Sequence, residues 1–175
     1  MTVVTERGRL LVEFGQWRAH ELVLTLDKTD RLWQQMSTYR TLFNDFTRGD
    51  VENFYNLISL HDSYWLEVVG QDDNMVGVIY WTNMAHMIDC DVHIMFFDRR
   101  PAEKTEFCIE VAKWFFRNNP GCNRMTATLP ILYHATIRLA RRIGFRIEGK
   151  KLESQLMDNK LVDELILGML AREIL

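Results

Sequence analysis

The stretch Ile88-Asp89-Cys90-Asp91-Val92-His93-Ile94-Met95-Phe96-Phe97 decides the fold. Ile88, Cys90, Val92, Ile94 and Phe96 fall on one side of a period-two alternation. Asp89, Asp91 and His93 fall on the other, followed by Met95 and Phe97. Such alternation predicts a β-strand with one apolar face. Asp98-Arg99-Arg100-Pro101 breaks it, and Pro101 suits the first position of a helix, where its missing N–H has no intrahelical partner anyway. Phe107, Val111, Trp114 and Phe115 then recur at helical steps as far as Asn118, and Asn119-Pro120-Gly121 stops the helix. Arg124–Leu129 reads as the next strand. Strand, helix and strand in this order make a βαβ unit, so its two strands are expected to run parallel.

Upstream, Tyr64–Val69 and Met75–Trp81 flank the polar, turn-forming Gly70-Gln71-Asp72-Asp73-Asn74 and read as a hairpin. Asp50 can cap a short helix carrying Val51, Phe54 and Ile58 on one face. Before it, Leu32, Met36, Tyr39, Phe43 and Phe46 form the stripe of an amphipathic helix, with Asp27 or Thr29 as cap and Gly49 as stop. Leu10–Phe14 and Glu21–Leu26 read as opening strands. Downstream, Pro130 precedes a helix whose buried face is expected to hold Leu132, Ala135, Leu139 and Ile143. Phe145–Met157 and Leu161–Leu170 read as a closing hairpin around Asp158-Asn159-Lys160.

This order predicts the α/β class, with a mixed, mostly antiparallel central sheet and flanking helices. Ligands of sheets with parallel strands favour the carboxyl ends of those strands, beside a helix amino terminus. No repeat or linker interrupts residues 1–175, so one domain is expected. The composition, 47% hydrophobic and 26% charged, is that of a globular protein. A net charge of −3 argues against a nucleic-acid partner. No apolar run is long enough to span a bilayer, and Met1–Arg7 lacks the layout of a signal peptide, so a cytoplasmic location is expected. Cys90, Cys108 and Cys122 are odd in number and stand at no zinc or redox spacing. They read as buried, reduced thiols, and no metal site is expected.

The carboxyl-terminal half resembles the GCN5-related N-acetyltransferase family. Ala135-Thr136-Ile137-Arg138-Leu139-Ala140-Arg141-Arg142-Ile143-Gly144-Phe145 is similar to that family's fourth helix and its terminal Gly-Phe. Arg146-Ile147-Glu148-Gly149 continues like the sixth strand, and Asp158-Asn159-Lys160-Leu161-Val162-Asp163 like the turn and aspartate opening the seventh. The Glu-Gly pair and the later Asp resemble the branch that acetylates ribosomal-protein amino termini. Val92-His93-Ile94-Met95-Phe96 before an arginine-bearing loop resembles phage-encoded members. The resemblance spans Ile88 to Leu170; the first half matches only by order of elements. It implies a splayed parallel strand pair, acetyl-CoA as cosubstrate and an amine on a small molecule or a protein as acceptor.

Two departures suggest a degenerate member. The family's Gly-rich loop, whose backbone N–H groups cradle pyrophosphate, is replaced by Arg99-Arg100-Pro101-Ala102-Glu103-Lys104-Thr105. Arg99, Arg100 and Lys104 could substitute with side-chain charge, and the strand backbone at Met95 and Phe97 is expected to meet the pantetheine arm. The tyrosine that many members carry four residues before the Gly-Phe glycine is Ala140 here, and the asparagine position near the helix start is Tyr133. His93 is the candidate general base because imidazole titrates near neutrality, Asp91 lies on its side of the strand, and Tyr133 is the candidate displaced acid. The leading expectation is an N-acyltransferase working by direct amine attack, with weak or lost acetyl-CoA binding. The rival is a non-catalytic protein of the same fold, serving as a structural or binding component, as in a phage particle, in the host cytoplasm or virion. A homo-oligomer or an assembly partner suits either.

Overall fold

The computed structural model describes residues 7–38, 50–59, 61–84, 88–97 and 104–175. Its elements are β1 (Leu10–Phe14), β2 (Trp17–Glu21), α1 (Leu26–Met36), α2 (Val51–Ile58), β3 (Tyr64–Val69), β4 (Met75–Thr82), β5 (Asp89–Phe96), α3 (Lys104–Asn118), β6 (Arg124–Pro130), α4 (His134–Ile143), β7 (Arg146–Met157), β8 (Lys160–Leu170) and α5 (Ala171–Ile174). The strands form one sheet in the order β1-β2-β3-β4-β5-β6-β8-β7. Every neighbouring pair is antiparallel except β5 and β6, which run parallel as the βαβ order requires.

Alternation along the strands sends side chains to two cores. Ile79, Trp81, Met125 and Leu167 pack with Phe107, Val111 and Phe115 of α3. Trp65, Val78, Tyr80 and Phe97 pack with Leu32 and Met36 of α1 and Phe54 and Ile58 of α2. Neighbours such as Val78 and Ile79 belong to different cores because successive side chains point to opposite faces of a strand. α2 starts where Asp50 accepts from the N–H groups of Glu52 (2.9 Å) and Asn53 (3.2 Å), as expected. The closing hairpin turns on Asp158 and Asn159, with φ of 50° and 60°; consecutive left-handed residues match the right-handed twist of the strands they join.

Three expectations are corrected. The second strand is Trp17–Glu21, not Glu21–Leu26. Gly15 takes φ 58° in a tight turn that sets Phe14 opposite Trp17, and the pairing of Glu21 with Leu66 uses up the strand there. The apolar residues that follow only approach the sheet, where the Leu22 N–H donates to the Trp65 carbonyl (3.0 Å). α1 is capped by Thr25, which accepts from the Lys28 N–H (3.2 Å), rather than by Asp27 or Thr29; Thr29 lies buried inside the helix. In α4 the buried residues are Ala140 and Ile143, while Leu132, 57% exposed, precedes the helix and Ala135 is exposed. α5 was not foreseen. Tyr39, Phe43, Phe46 and Gly49 lie outside the described residues.

Candidate functional site

The parallel strands pair only briefly. Asp89, Cys90 and Asp91 of β5 stand opposite Arg124, Met125 and Thr126 of β6, and there the ladder ends. Both strands continue: β5 stays paired with β4 as far as Phe96, and β6 with β8 as far as Pro130. Their outer neighbours hold them while their inner edges part, so among the described residues β5 beyond Asp91 has ladder partners on its β4 side alone. The splay opens a cleft of ≈690 Å³ between the strands and α4.

The closed end is clasped by side chains. The Thr126 hydroxyl donates to Asp89 (3.0 Å), and Arg124 on β6 pairs with Asp89 (3.6 Å) and with Glu148 of β7. Behind them the Cys90 and Cys122 sulfurs approach to 3.6 Å. All three cysteines are free and buried, and burial pushes the Cys108 thiol up to about 12.

His93 lies in the cleft wall, half-buried. Its ring stacks on Tyr80 (centroids 4.4 Å apart, planes 9° apart), and Tyr80 stacks on Trp65 (3.7 Å). Nε2 is 3.4 Å from the Thr82 hydroxyl. Burial holds the imidazole below its ordinary value of 6.5, and the nearby Asp91 carboxylate opposes that shift. The ring is therefore neutral at neutral pH and able to accept a proton. Asp91 accepts a hydrogen bond from the Asn83 side-chain amide, and Asn83 adopts φ 56°, a left-handed conformation that asparagine tolerates. Asp89 belongs to the clasp at the closed end.

Tyr133 is the residue before α4, and its side chain does not cap that helix. It lines the cleft, and its hydroxyl donates to the Met157 sulfur (3.5 Å). Met95 also lines the cleft, whereas the Phe97 ring is buried in the α1–α2 core. The Phe97 N–H donates to the Val76 carbonyl (2.8 Å). Lys104, read as phosphate-binding charge, is buried. It is 8% exposed, with Nζ 4.7 Å from the Phe96 ring centre and 5.7 Å from that of Trp17. Aromatic faces stabilise such a buried ammonium. Arg99, Arg100, Pro101 and Glu103 lie outside the described residues.

The sequence reading missed part of the cleft wall. Thr128, Gln155 and Glu164 line it from β6, β7 and β8. Leu132, Ala135 and Leu139, read as core, line it too. A helical stripe marks one face as apolar, and here part of that face borders an opening rather than packed side chains. Among the described residues no group of three or more His, Cys, Asp or Glu side chains could hold a metal ion. Among them, too, no helix is long and apolar enough to cross a membrane.

A mixed sheet of eight strands, mostly antiparallel, with one splayed parallel pair and flanking helices, is the acetyltransferase fold. The spermidine N-acetyltransferase of Vibrio cholerae, solved with CoA and spermine, superposes with a TM-score of 0.72 at 14% identity, over 91% of this chain and 98% of that one. A dodecameric form of the Vibrio cholerae enzyme gives 0.72 at 12% identity, over 91% and 96% of the two chains. A probable acetyltransferase gives 0.72 at 15% identity, over 94% and 98%. At these identities the likeness is one of fold. No protein-family model matches the sequence, and no curated protein matches it.

Proposed function

We propose that this chain is an acyl-CoA-dependent N-acyltransferase that passes an acetyl group to an amine by direct attack. The observation that carries the reading is the gap between β5 and β6 with the His93 imidazole in its wall. The inner edge of β5 beyond Asp91 has no β6 partner among the described residues, and that edge beside Met95 suits the amides of a pantetheine arm, while the Phe97 N–H is taken by the Val76 carbonyl. Arg99, Arg100 and Lys104 precede or begin α3 and supply the positive charge for the pyrophosphate. With Lys104 held against aromatic rings, the two arginines carry more of that role.

The amine nitrogen attacks the thioester carbonyl. A C–N bond forms, the C–S bond breaks, and the amine proton passes to His93. The departing thiolate takes a proton from the Tyr133 hydroxyl, which His93 restores through solvent. Asp91 favours the protonated imidazole formed on the way. General base catalysis of this kind contributes about 10²–10⁴-fold. The acceptor is an amine on a small molecule, of which the polyamine bound to one structural neighbour is an example, or a protein amino group. A cytoplasmic, self-associating protein of the GCN5-related N-acetyltransferase family, close to its phage-encoded and ribosomal-protein-acetylating branches, fits this reading.

One feature favours a second reading, a non-catalytic protein of the same fold acting as a structural component of an assembly. The segment before α3 lacks glycine and carries Glu103, which repels phosphate. Release of free thiol from acetyl-CoA in the presence of spermidine, and of a lysine-bearing peptide, separates the two. Amine-dependent thiol release supports the transferase; its absence with both acceptors favours the assembly component.

A further inference from the structure

The cleft holds one carboxylate that the acetyl transfer above does not use. Glu164 of β8 lines the opening with Gln155, Thr128 and His93. It faces the His93 side of the sheet, because its neighbour Leu165 packs against the α3 core and successive side chains alternate. The Ser154 hydroxyl donates to Glu164 Oε2 (2.9 Å) and orients the carboxylate. Ser154 reaches it from an irregular stretch of β7. Between Lys151 and Gln155 the register shifts, Glu153 takes φ 47°, and the Glu153 N–H turns to Asp163 (2.9 Å). Such bulges re-aim side chains beside active sites.

The neighbouring carboxylates already have cations. Asp89 and Glu148 share Arg124, and Asp163 takes Lys150. Among the described residues Glu164 has no such partner. Neither Lys151, opposite it in the ladder, nor Arg138, in the cleft lining on α4, makes an ion pair with it. An oriented carboxylate left without a cation in an open cleft is a receptor for one from outside. That cation is not the reacting nitrogen, which must give up its proton; a carboxylate beside it would hold the proton on. Glu164 stands two strands from His93, across β6, which is about 10 Å or more where the strands part. It suits a charge that stays on the acceptor throughout.

We infer that the acceptor is a dication, an amine with a second cationic nitrogen a short aliphatic chain away from the reacting one, and that Glu164 selects it. This rests on the proposed acyltransferase reading and names the acceptor class for the same site. Asp91, the carboxylate beside His93, takes the Asn83 amide and serves the imidazole. The bonds formed and broken are those already given, and the second nitrogen keeps its protons.

The test is steady-state thiol release from acetyl-CoA by the whole chain with butylamine, aminobutanol and putrescine. The three share one chain and differ at its far end in hydrogen, hydroxyl or ammonium. Putrescine is expected to exceed both others in kcat/KM by at least about tenfold, the yield of one charge-assisted hydrogen bond, with the difference in KM. In Glu164→Gln, which keeps an acceptor for Ser154, that advantage is expected to disappear. Equal kcat/KM for the three amines, or an advantage that survives in Glu164→Gln, overturns the inference and leaves the transferase reading standing. Release with the lysine-bearing peptide but with none of the three does the same. No release with any acceptor overturns both. The comparison of amines on the unmodified chain needs no variant to fold.

Discussion

The Arg124 guanidinium on β6 reaches across β8 to the Glu148 carboxylate on β7, and it does so over Gly168. Nη1 donates to Oε1 at 3.0 Å, and the same guanidinium pairs with Asp89 of β5. A Cβ at position 168 would collide with Arg124 Nη2 and with the Glu148 carboxylate. Glycine thus leaves room for the two side chains to meet across β8, and a Cβ there would push them aside. Through Arg124 these ion pairs link β5, β6 and β7, passing over β8, at the closed end of the splay.

Gly168→Ala is expected to displace the Arg124–Glu148 pair and so to destabilise the fold by about 1 kcal/mol or less, the worth of a partly exposed ion pair. The cost should shrink when Arg124 and Glu148 are already alanine, since the clash is then gone. Chemical denaturation of the four proteins measures this. Equal cost in both backgrounds would mean that glycine serves some other purpose.

Acid should loosen the carboxyl-terminal hairpin. The hydrogen bond from Arg124 holds the Glu148 carboxyl below its ordinary value. Lys150 (2.7 Å), then the Glu153 N–H (2.9 Å), do the same for Asp163. For both groups the unfolded chain takes up protons at a higher pH than the folded one. Their contribution is therefore complete above the ordinary carboxyl range, about pH 4, and is lost as pH falls through the lowered folded values. Melting temperature against pH should fall more gently below pH 4 in Glu148→Gln/Asp163→Asn than in the unmodified chain. Identical slopes would show that other carboxyls govern acid unfolding.

His93→Ala is expected to lower kcat/KM by about 10²–10⁴-fold. Because burial holds the imidazole below its ordinary value, the base is unprotonated at neutral pH. The rate of the unmodified chain should be flat there and fall on the acid side, below about pH 6.5. The variant should lose that acid limb along with its rate. The stack on Tyr80 makes a melt of the variant a necessary control. An acid limb that survives in the variant assigns the titration to another group.

Tyr133→Phe separates the two roles open to that residue. Removing the hydroxyl leaves the ring in place and takes away the bond to Met157. As the acid, it should lower kcat with little change in KM for the acyl donor, whereas a packing role predicts unchanged kcat. Steady-state kinetics on the folded variant decides.

Acyl-CoA binding is expected to be weak and sensitive to salt, since side-chain charge replaces backbone donors at the phosphates. Acetyl-CoA at about 100 times its Kd should add about 2.7 kcal/mol of stability, a rise in Tm of roughly 5–10 °C. Arg99→Ala/Arg100→Ala should abolish most of the shift, as should raised ionic strength. A shift that persists in the double variant would place the phosphates elsewhere.

Local pattern carried much of this architecture. The alternation of Asp89–Phe96, the polar loop Gly70–Asn74, the Asp50 cap and the Asp158-Asn159 turn each express a preference of a few neighbouring residues, and each reappears in place. His93 was legible for the same reason, as a titratable group on a strand whose edge the βαβ order exposes. Periodicity reports which residues share a face, but not what stands opposite. The stripe Leu132, Ala135 and Leu139 looks like core, yet it borders the cleft because β5 and β6 part after three residue pairs. Lys104 looks like a surface cation, yet its ammonium lies over two aromatic rings brought from β2 and β5. Glu164, Gln155 and the pairing of Arg124 with Glu148 likewise depend on the strand order β6-β8-β7, which no local preference encodes. The sequence by itself determined most of the elements and their order, since those follow from short-range sterics and alternating polarity; only the tertiary structure decided the second strand and α5, where the sheet opens and which side chains meet across it, because long-range packing sets those contacts.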